Sequence, residues 1–273
     1  MSTNMLCTPA RTRFLLPSSL PVKLKLKQPQ QQQLFNNRRN NHHSTTPTIK
    51  MSFIEHIVLF KVKPNIDQTK VNSMVNALNN LTSLNLTLHL TSGQLLKSNP
   101  NSNGLTFTHI LHSRYKTAED LKTYAVHPEH VRVVNENVKP VVDDIMAVDW
   151  RSEGGVSSGG VIEPGKAMRV SFVKLKENVT EDDKTKVLEV IRGVKDEFGG
   201  VIQEMSVGEN FSERAKGYEI ASVAVFNGVE EMEKMDEDVE KVTKEKEKVK
   251  EFVQSVVVVD YVVPVATHQS ANL

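Results

Sequence analysis

IEHIVLFKVK, residues Ile54–Lys63, alternates so that His56, Val58, Phe60 and Val62 share one face of a strand while Ile57 and Leu59 share the other. With both faces largely apolar, the strand is expected to be covered on both sides. MRVSFVKLK, Met168–Lys176, repeats the arrangement in the second half of the 273-residue chain. The segment after each strand repeats as well. VNSMVNALNNL (Val71–Leu81) places Val71, Met74, Val75 and Leu78 on one helical stripe. VTEDDKTKVLEVIRGVKDEFGG (Val179–Gly200) does the same with Val187, Val190, Ile191 and Val194. In that segment Thr180 and Asp183 have the spacing of a capping box, and Gly199–Gly200 stops the helix.

The order continues in parallel. The first half offers LNLTLHL, whose Leu84, Leu86, Leu88 and Leu90 predict a half-buried strand. LTFTHILHSRY (Leu105–Tyr115) predicts a third strand, AEDLKTYAV a helix, and IMAVDW (Ile145–Trp150) a closing strand. The second half supplies VIQEMSV, KGYEIASVAVF, a charged helix from Val229 and VVVVDYVV. Within that helix KVTKEKEKVKEF is a solvated face, and Val239, Val242, Val249, Phe252 and Val253 form the expected buried stripe. Thr108 and Glu219, His130 and Lys241, and Asp149 and Asp260 are each 111 residues apart, and His56 and Arg169 are 113 apart. Such register across four elements indicates duplication.

Each copy therefore reads β-α-β-β-α-β, the ferredoxin-like split βαβ pattern. A sheet with helices on one face leaves the other face apolar and exposed, and two such sheets in one chain can cover each other. The expected class is α+β: two ferredoxin-like domains forming an intramolecular pseudo-dimeric α/β barrel. The expected divisions are a leader 1–50, a first domain 51–150, a Gly/Ser linker 151–165, a second domain 166–265 and a tail 266–273.

TYAVHPEHVRVV, Thr123–Val134, gathers the polar chemistry. Pro128 suits the first turn of a helix and pushes His127 towards extended backbone. One helix should end near Val126 and another start at Pro128, with Tyr124, His127 and His130 around the break. HIVLFK, FTHILHSRY and YAVHPEHV, followed by a short strand ending in an aromatic, resemble the stress-response A/B barrel family of dimeric α/β barrels. The resemblance covers nearly all of Ser52–Trp150, and Lys166–Pro264 is similar with the Tyr-x-x-His-Pro-x-His signature erased. It implies a role in plant stress response and self-association of the two halves. A plant member of the family cyclises a linear polyketide with two histidines and a tyrosine, which by motif position correspond here to His56, His130 and Tyr124.

Ring closure of that kind needs a base near neutrality and a donor beside the carbonyl that collects charge. His130 would be the base, Tyr124 the donor and His56 a second polar anchor, so His56, Tyr124 and His130 are the catalytic candidates. His109 and His127 join them as candidate ligand-binding residues. Three functions stay open: binding of a small apolar ligand in the first domain, polyketide-cyclase-like catalysis, and a scaffold for protein interaction. His127 also reads as an N-cap, His109 as a core histidine, and His89 and His112 as surface positions. At the repeat positions His56, Tyr124, His127 and His130 become Arg169, Met235, Asp238 and Lys241, so the second copy is expected to lack the site.

Composition removes other classes. Net charge is +1, yet Met1–Ile54 holds eight Lys or Arg and no acid, leaving the remainder at −7, which argues against nucleic acid. No apolar run approaches a membrane span of roughly 20 residues. The acid-free, hydroxyl-rich leader resembles a plastid transit peptide, and the terminal SANL loosely resembles a peroxisomal signal, so a chloroplast address is expected with the peroxisome as alternative. Cys7, the sole cysteine, lies in the leader, which excludes thiol chemistry from a processed chain. No metal site is expected, because His127 and His130 lack further ligands at defined spacing. No cofactor is expected either: GGVSSGG lacks the lysine and the strand–helix setting of a phosphate loop.

Overall fold

The computed structural model describes residues 52–99, 104–152 and 160–265. The leader and the tail, with the addresses read from them, lie outside these residues. In the first half β1 (Ile54–Val62) leads into α1 (Gln68–Asn80), then β2 (His89–Gln94), β3 (Lys97–Asn99) and β4 (His109–Tyr115). Next come α2 (Ala118–Val126), α3 (Pro128–Val133) and β5 (Val142–Arg151). The second half contains β6 (Ala167–Leu175), α4 (Glu181–Glu197), β7 (Ile202–Glu209) and β8 (Ile220–Phe226). It ends with α5 (Val229–Glu237), α6 (Val239–Val249) and β9 (Val253–Val262).

The strands form two antiparallel sheets, ordered β2-β4-β1-β5 and β3-β9-β6-β8-β7. Alternation puts Ile57, Leu59, Ile110, Val148 and Trp150 of one sheet against Val170, Phe172, Val223, Val259 and Tyr261 of the other, in one shared core. The opposite faces carry the helices: Ile54, Val58, Phe60 and Leu111 pack beneath α1 and α2 with Met74, Leu78 and Tyr124. This is the expected α+β tandem of ferredoxin-like units.

The duplication is visible in detail. Both first strands bulge at matched positions, between Lys61 and Val62 and between Lys174 and Leu175. The freed amides are capped from matched positions too: Val62 N–H donates to Thr108 Oγ1 at 3.2 Å and Leu175 N–H to Glu219 Oε2 at 3.0 Å. Contacts between the halves are reciprocal, as a two-fold relation requires. Trp150 Nε1–H donates to Ser206 Oγ at 3.0 Å and lies over Gly208, where a Cβ would come within 2.8 Å of its ring. Tyr261, at the repeat position of Trp150, bonds Thr91 Oγ1 at 2.8 Å and lies over Gly93. Phe211 N–H bonds Asp149 O, and Leu96 N–H bonds Asp260 O, both at 2.8 Å.

Several expectations change. Leu84–Leu88 is not strand: Leu81–Leu84 makes a 3-10 turn, Asn85 adopts a left-handed φ of 55°, and β2 begins only at His89. Asn tolerates that conformation better than most residues. The third strand likewise starts at His109 rather than Leu105. β3 was not expected; it continues the chain from β2 and pairs with β9 of the other half, Lys97 opposite Asp260. Val239 is 66% exposed, because it follows the Asp238 cap at the tip of α6, outside the packed stripe.

Candidate functional site

The helix break forms as Pro128 dictates. α2 opens with a capping box in which Thr117 and Asp120 bond each other's amides, and it ends at Val126. His127 turns extended, with ψ 132°, and its Nδ1 accepts from Glu129 N–H at 3.2 Å, which makes it the cap of α3. His130 in the first turn of α3 places Nδ1 3.0 Å from Ala125 O. That carbonyl can only accept, so Nδ1 carries the proton and Nε2 keeps a free lone pair. Tyr124 lies against the His130 ring at 4.6 Å between centroids.

β1 brings His56 to the same layer from below. Its Nδ1 is 2.5 Å from Asp149 Oδ1, and the two residues face each other across β1 and β5. The carboxylate accepts, so Nδ1 carries the proton of this contact. Tyr115 at the end of β4 bridges the two groups: its ring is edge-on to His56 at 6.3 Å and tilted against Tyr124 at 5.4 Å. His56, Tyr115, Tyr124 and His130 therefore form one continuous cluster. His109 is not part of it. It is the strand partner of Phe60, four residues along β1 from His56, or about 13 Å, and its Nδ1 is bonded to Thr108 Oγ1.

Burial sets the protonation states. The Tyr124 hydroxyl is buried without a hydrogen bond of ordinary geometry, and burial raises its pKa, so it remains a proton donor. The pKa of His130 is lowered, first by burial and further by His56, Arg214 and His127, although the Ala125 carbonyl opposes the shift. It is neutral and basic at pH 7. Arg214 comes from the β7–β8 connection, so the second half supplies a cation at the rim of the first half's cluster. Asp149 is held from the same connection, with its N–H donating to Asn210 Oδ1 at 3.1 Å.

Two features were missed in the sequence. The first is Asp149 itself; its signal was the retention of Asp at 149 and 260, and Arg169 bonds Asp260 through two nitrogens at 2.8 and 3.0 Å where His56 bonds Asp149. The second is a polar network inside the barrel, which corrects the surface assignment of two histidines. His112 is 0% and His89 9% exposed. His112 Nε2 bonds Glu55 Oε2 at 2.6 Å, and Arg114 bonds Glu55, the Gly160 carbonyl and Glu204 of β7. Burial would raise the Glu55 pKa, but Arg114 and His112 outweigh it and hold it at about 2. His89, its ring tilted against His112 at 5.1 Å, is lowered to about 3, mainly by burial. Sequence alternation marked these positions as one face; it could not show that the face was roofed by a second sheet. Among the described residues no group of three or more His, Cys, Asp or Glu is placed to hold a metal ion, and no helix is long and apolar enough to cross a membrane.

Comparison with known proteins agrees with this architecture. The family model of the stress responsive A/B barrel domain matches residues 54–152 and again 168–263. A stress-response A/B barrel domain-containing protein of Arabidopsis thaliana is 45% identical over 230 residues, 84% of this chain and 85% of the relative. A second Arabidopsis protein of the same description is 40% identical over 216 residues, 78% of this chain and 98% of the relative. Among solved structures, a putative monooxygenase from Fusobacterium nucleatum aligns with TM-score 0.52 at 8% identity, covering 79% of this chain and 93% of that one. An anthrone oxidase-like protein aligns with TM-score 0.50 at 12% identity, covering 83% and 98%. At those identities the structures speak for the fold alone. With both halves matched and relatives aligned along most of its length, the chain belongs to the stress-responsive A/B barrel family as a tandem of two such domains.

Proposed function

We propose that this stress-response barrel protein binds a small apolar ligand bearing a carbonyl or similar acceptor at the His56–Tyr124–His130 cluster of its first half. The observation that carries the proposal is the buried Tyr124 hydroxyl, set between His130 and Tyr115, which has the Tyr115 hydroxyl as a polar neighbour but makes no hydrogen bond of ordinary geometry. Buried polar groups are normally paired, so a donor left open in this layer is one that a ligand can satisfy. Leu121, Val58 and Leu111 supply apolar surface around it. A plastid address is part of the proposal, supported by the acid-free leader. The test is calorimetric titration of the full chain with nonane-2,4-dione, a dicarbonyl with an apolar tail. Saturable one-to-one binding is expected, weakened about tenfold in Tyr124→Phe, which corresponds to about 1.4 kcal/mol. Equal affinity in that variant would refute the proposal.

A second reading, acid–base catalysis of an aldol- or Claisen-type cyclisation, is favoured by the His56–Asp149 pair. A free imidazole Nε2 would take a proton α to a carbonyl and the resulting enolate carbon would bond a second carbonyl carbon; in an aldol closure the new alkoxide would take a proton from Tyr124 or the imidazolium, and in a Claisen closure on the thioester carbonyl it would collapse and expel the thiolate, which would take that proton. Asp149 would orient His56 and stabilise its charged form. Incubation with a linear 3,5-diketo thioester, followed by mass spectrometry for the cyclised product, tests it. Product formed by the wild type and lost in Asp149→Asn is the expected result; no product from the wild type contradicts catalysis while leaving binding intact.

A further inference from the structure

The helix-facing layers of the two halves differ in how they are filled. In the first half the layer is one continuous apolar cluster. In the second it divides into two clusters, around Phe226 and around Val187, with a cavity of about 820 Å³ between β6, β8 and β9 below and α4 and α6 above. The cause lies in two repeat positions. Val58 and Leu111, which face each other across β1 and β4, are replaced by Ser171 and Ser222, which face each other across β6 and β8. Two large apolar side chains have become hydroxyls at the cavity floor, and on the facing helix stripe Met74 and Leu78 give way to the smaller Val190 and Val194, while Val75 gains one carbon as Ile191. Val190, Ile191 and Val242 on its walls are only partly buried, so the cavity opens to solvent between the helices. The walls remain apolar, with Val190 and Ile191 of α4 and Val242 of α6 above the serines.

The mouth has a definite charge pattern. Its carboxylates are already engaged: Asp236 by Arg169, Glu245 by Lys248, and Glu247 by Lys250. Lys97 and Lys246 form no ion pair among the described residues, yet both stand close enough to Asp236 to act on it electrostatically. Lys97 arrives from the first half on β3, so this mouth too is completed by the opposite half. Neither Ser171 nor Ser222 makes a side-chain hydrogen bond among the described residues.

We infer that the second half is a binding site for an amphipathic carboxylate, with its apolar chain between the sheet and α4 and its anionic head at Lys97 and Lys246. The volume lies within the roughly 300–1,000 Å³ typical of small-molecule sites, and an apolar chamber with a few polar groups at its ends is the usual composition of one. The second copy, which lost the histidine–tyrosine cluster, thus has a different ligand rather than none. This inference does not rest on the function proposed for the first half.

Dodecanoate titrated calorimetrically into the full chain tests it. Saturable one-to-one binding is expected. Ser171→Val with Ser222→Leu, which restores the first-half residues, should reduce affinity at least tenfold while leaving the melting temperature unchanged or higher. Lys246→Glu, an exposed change that does not touch the core, should weaken binding several-fold, with the loss greatest at low salt. Tyr124→Phe should leave dodecanoate affinity unchanged, which separates this site from the first-half site. Absence of saturable binding to the wild type, or unchanged affinity in either second-half variant, would overturn the inference; if the double serine variant does not fold, Lys246→Glu alone decides.

Discussion

His56 is bonded through Nδ1 to Asp149 at 2.5 Å, and this pair occupies in the first half the place that the Arg169–Asp260 ion pair occupies in the second. The acid is retained in both copies while its partner changes from an imidazole to a guanidinium, which is always charged. The same strand scaffold thus presents a histidine–carboxylate pair in one half and an arginine–carboxylate pair in the other. Asp149→Asn should remove the charge-assisted bond. A loss of about 1–3 kcal/mol in urea unfolding is expected, with disappearance of the Nδ1–H tautomer of His56 in imidazole nitrogen spectra. An unchanged tautomer would show that Asp149 does not set it.

Tyr124→Phe should behave oppositely on stability. Its hydroxyl is buried and makes no ordinary hydrogen bond, so deleting it removes an unpaid desolvation cost. The expected result is unfolding free energy unchanged or raised by up to about 1 kcal/mol. A clear loss of stability would mean that the hydroxyl has a structural partner and is not held open for a ligand.

The barrel network predicts acid sensitivity in two overlapping windows. His89 is lowered to about 3, so between its unfolded value of 6.5 and 3 the unfolded chain binds a proton that the folded chain refuses. Stability falls as pH drops through that range, by up to about 1.4 kcal/mol per pH unit for one proton. Glu55 is lowered to about 2, so its contribution is complete above 4.5 and is lost between 4.5 and 2. Urea unfolding at pH 7, 5.5 and 4 should show a steady decline, and His89→Gln should flatten the first part of it. A wild-type profile flat from pH 7 to 4 contradicts the buried, neutral state of His89.

The reciprocal seams make a graded prediction. At Gly208 a Cβ would meet Arg151 O at 2.5 Å, which is backbone and cannot yield cheaply. At Gly93 it would meet the Tyr261 ring at 3.1 Å, a side chain with some freedom. Gly208→Ala should therefore cost more than Gly93→Ala, by about 1 kcal/mol or more on the scale of overpacking penalties. Equal melting temperatures for the two variants would argue against this closure of the barrel.

The fold was legible because its signals are periodic and local. Two-sided apolar strands, the Thr180–Asp183 box and Pro128 each dictate an element without tertiary help, and the 111-residue register exposed the duplication. The Leu84–Leu88 alternation misled because Asn85 bends the chain where the pattern alone allows a strand. At the site, Tyr124 and His130 were legible from the helix break, whereas Tyr115 and Asp149 join only through sheet register. The pairing of Glu55, His112 and Arg114 depended on a second sheet covering a polar face, and the second-half cavity on two serines meeting across strands. Neither is a property of any short stretch.

The claim that the first half's histidine–tyrosine cluster is a ligand site is tested most directly by imidazole NMR on the full, histidine-labelled chain titrated with nonane-2,4-dione. Saturable shifts of the Nε2 resonances of His56 and His130 are expected, with His109 unmoved because it lies outside the cluster, and those shifts should be lost in Tyr124→Phe. Shifts absent from His56 and His130, or equally present in Tyr124→Phe, would contradict it.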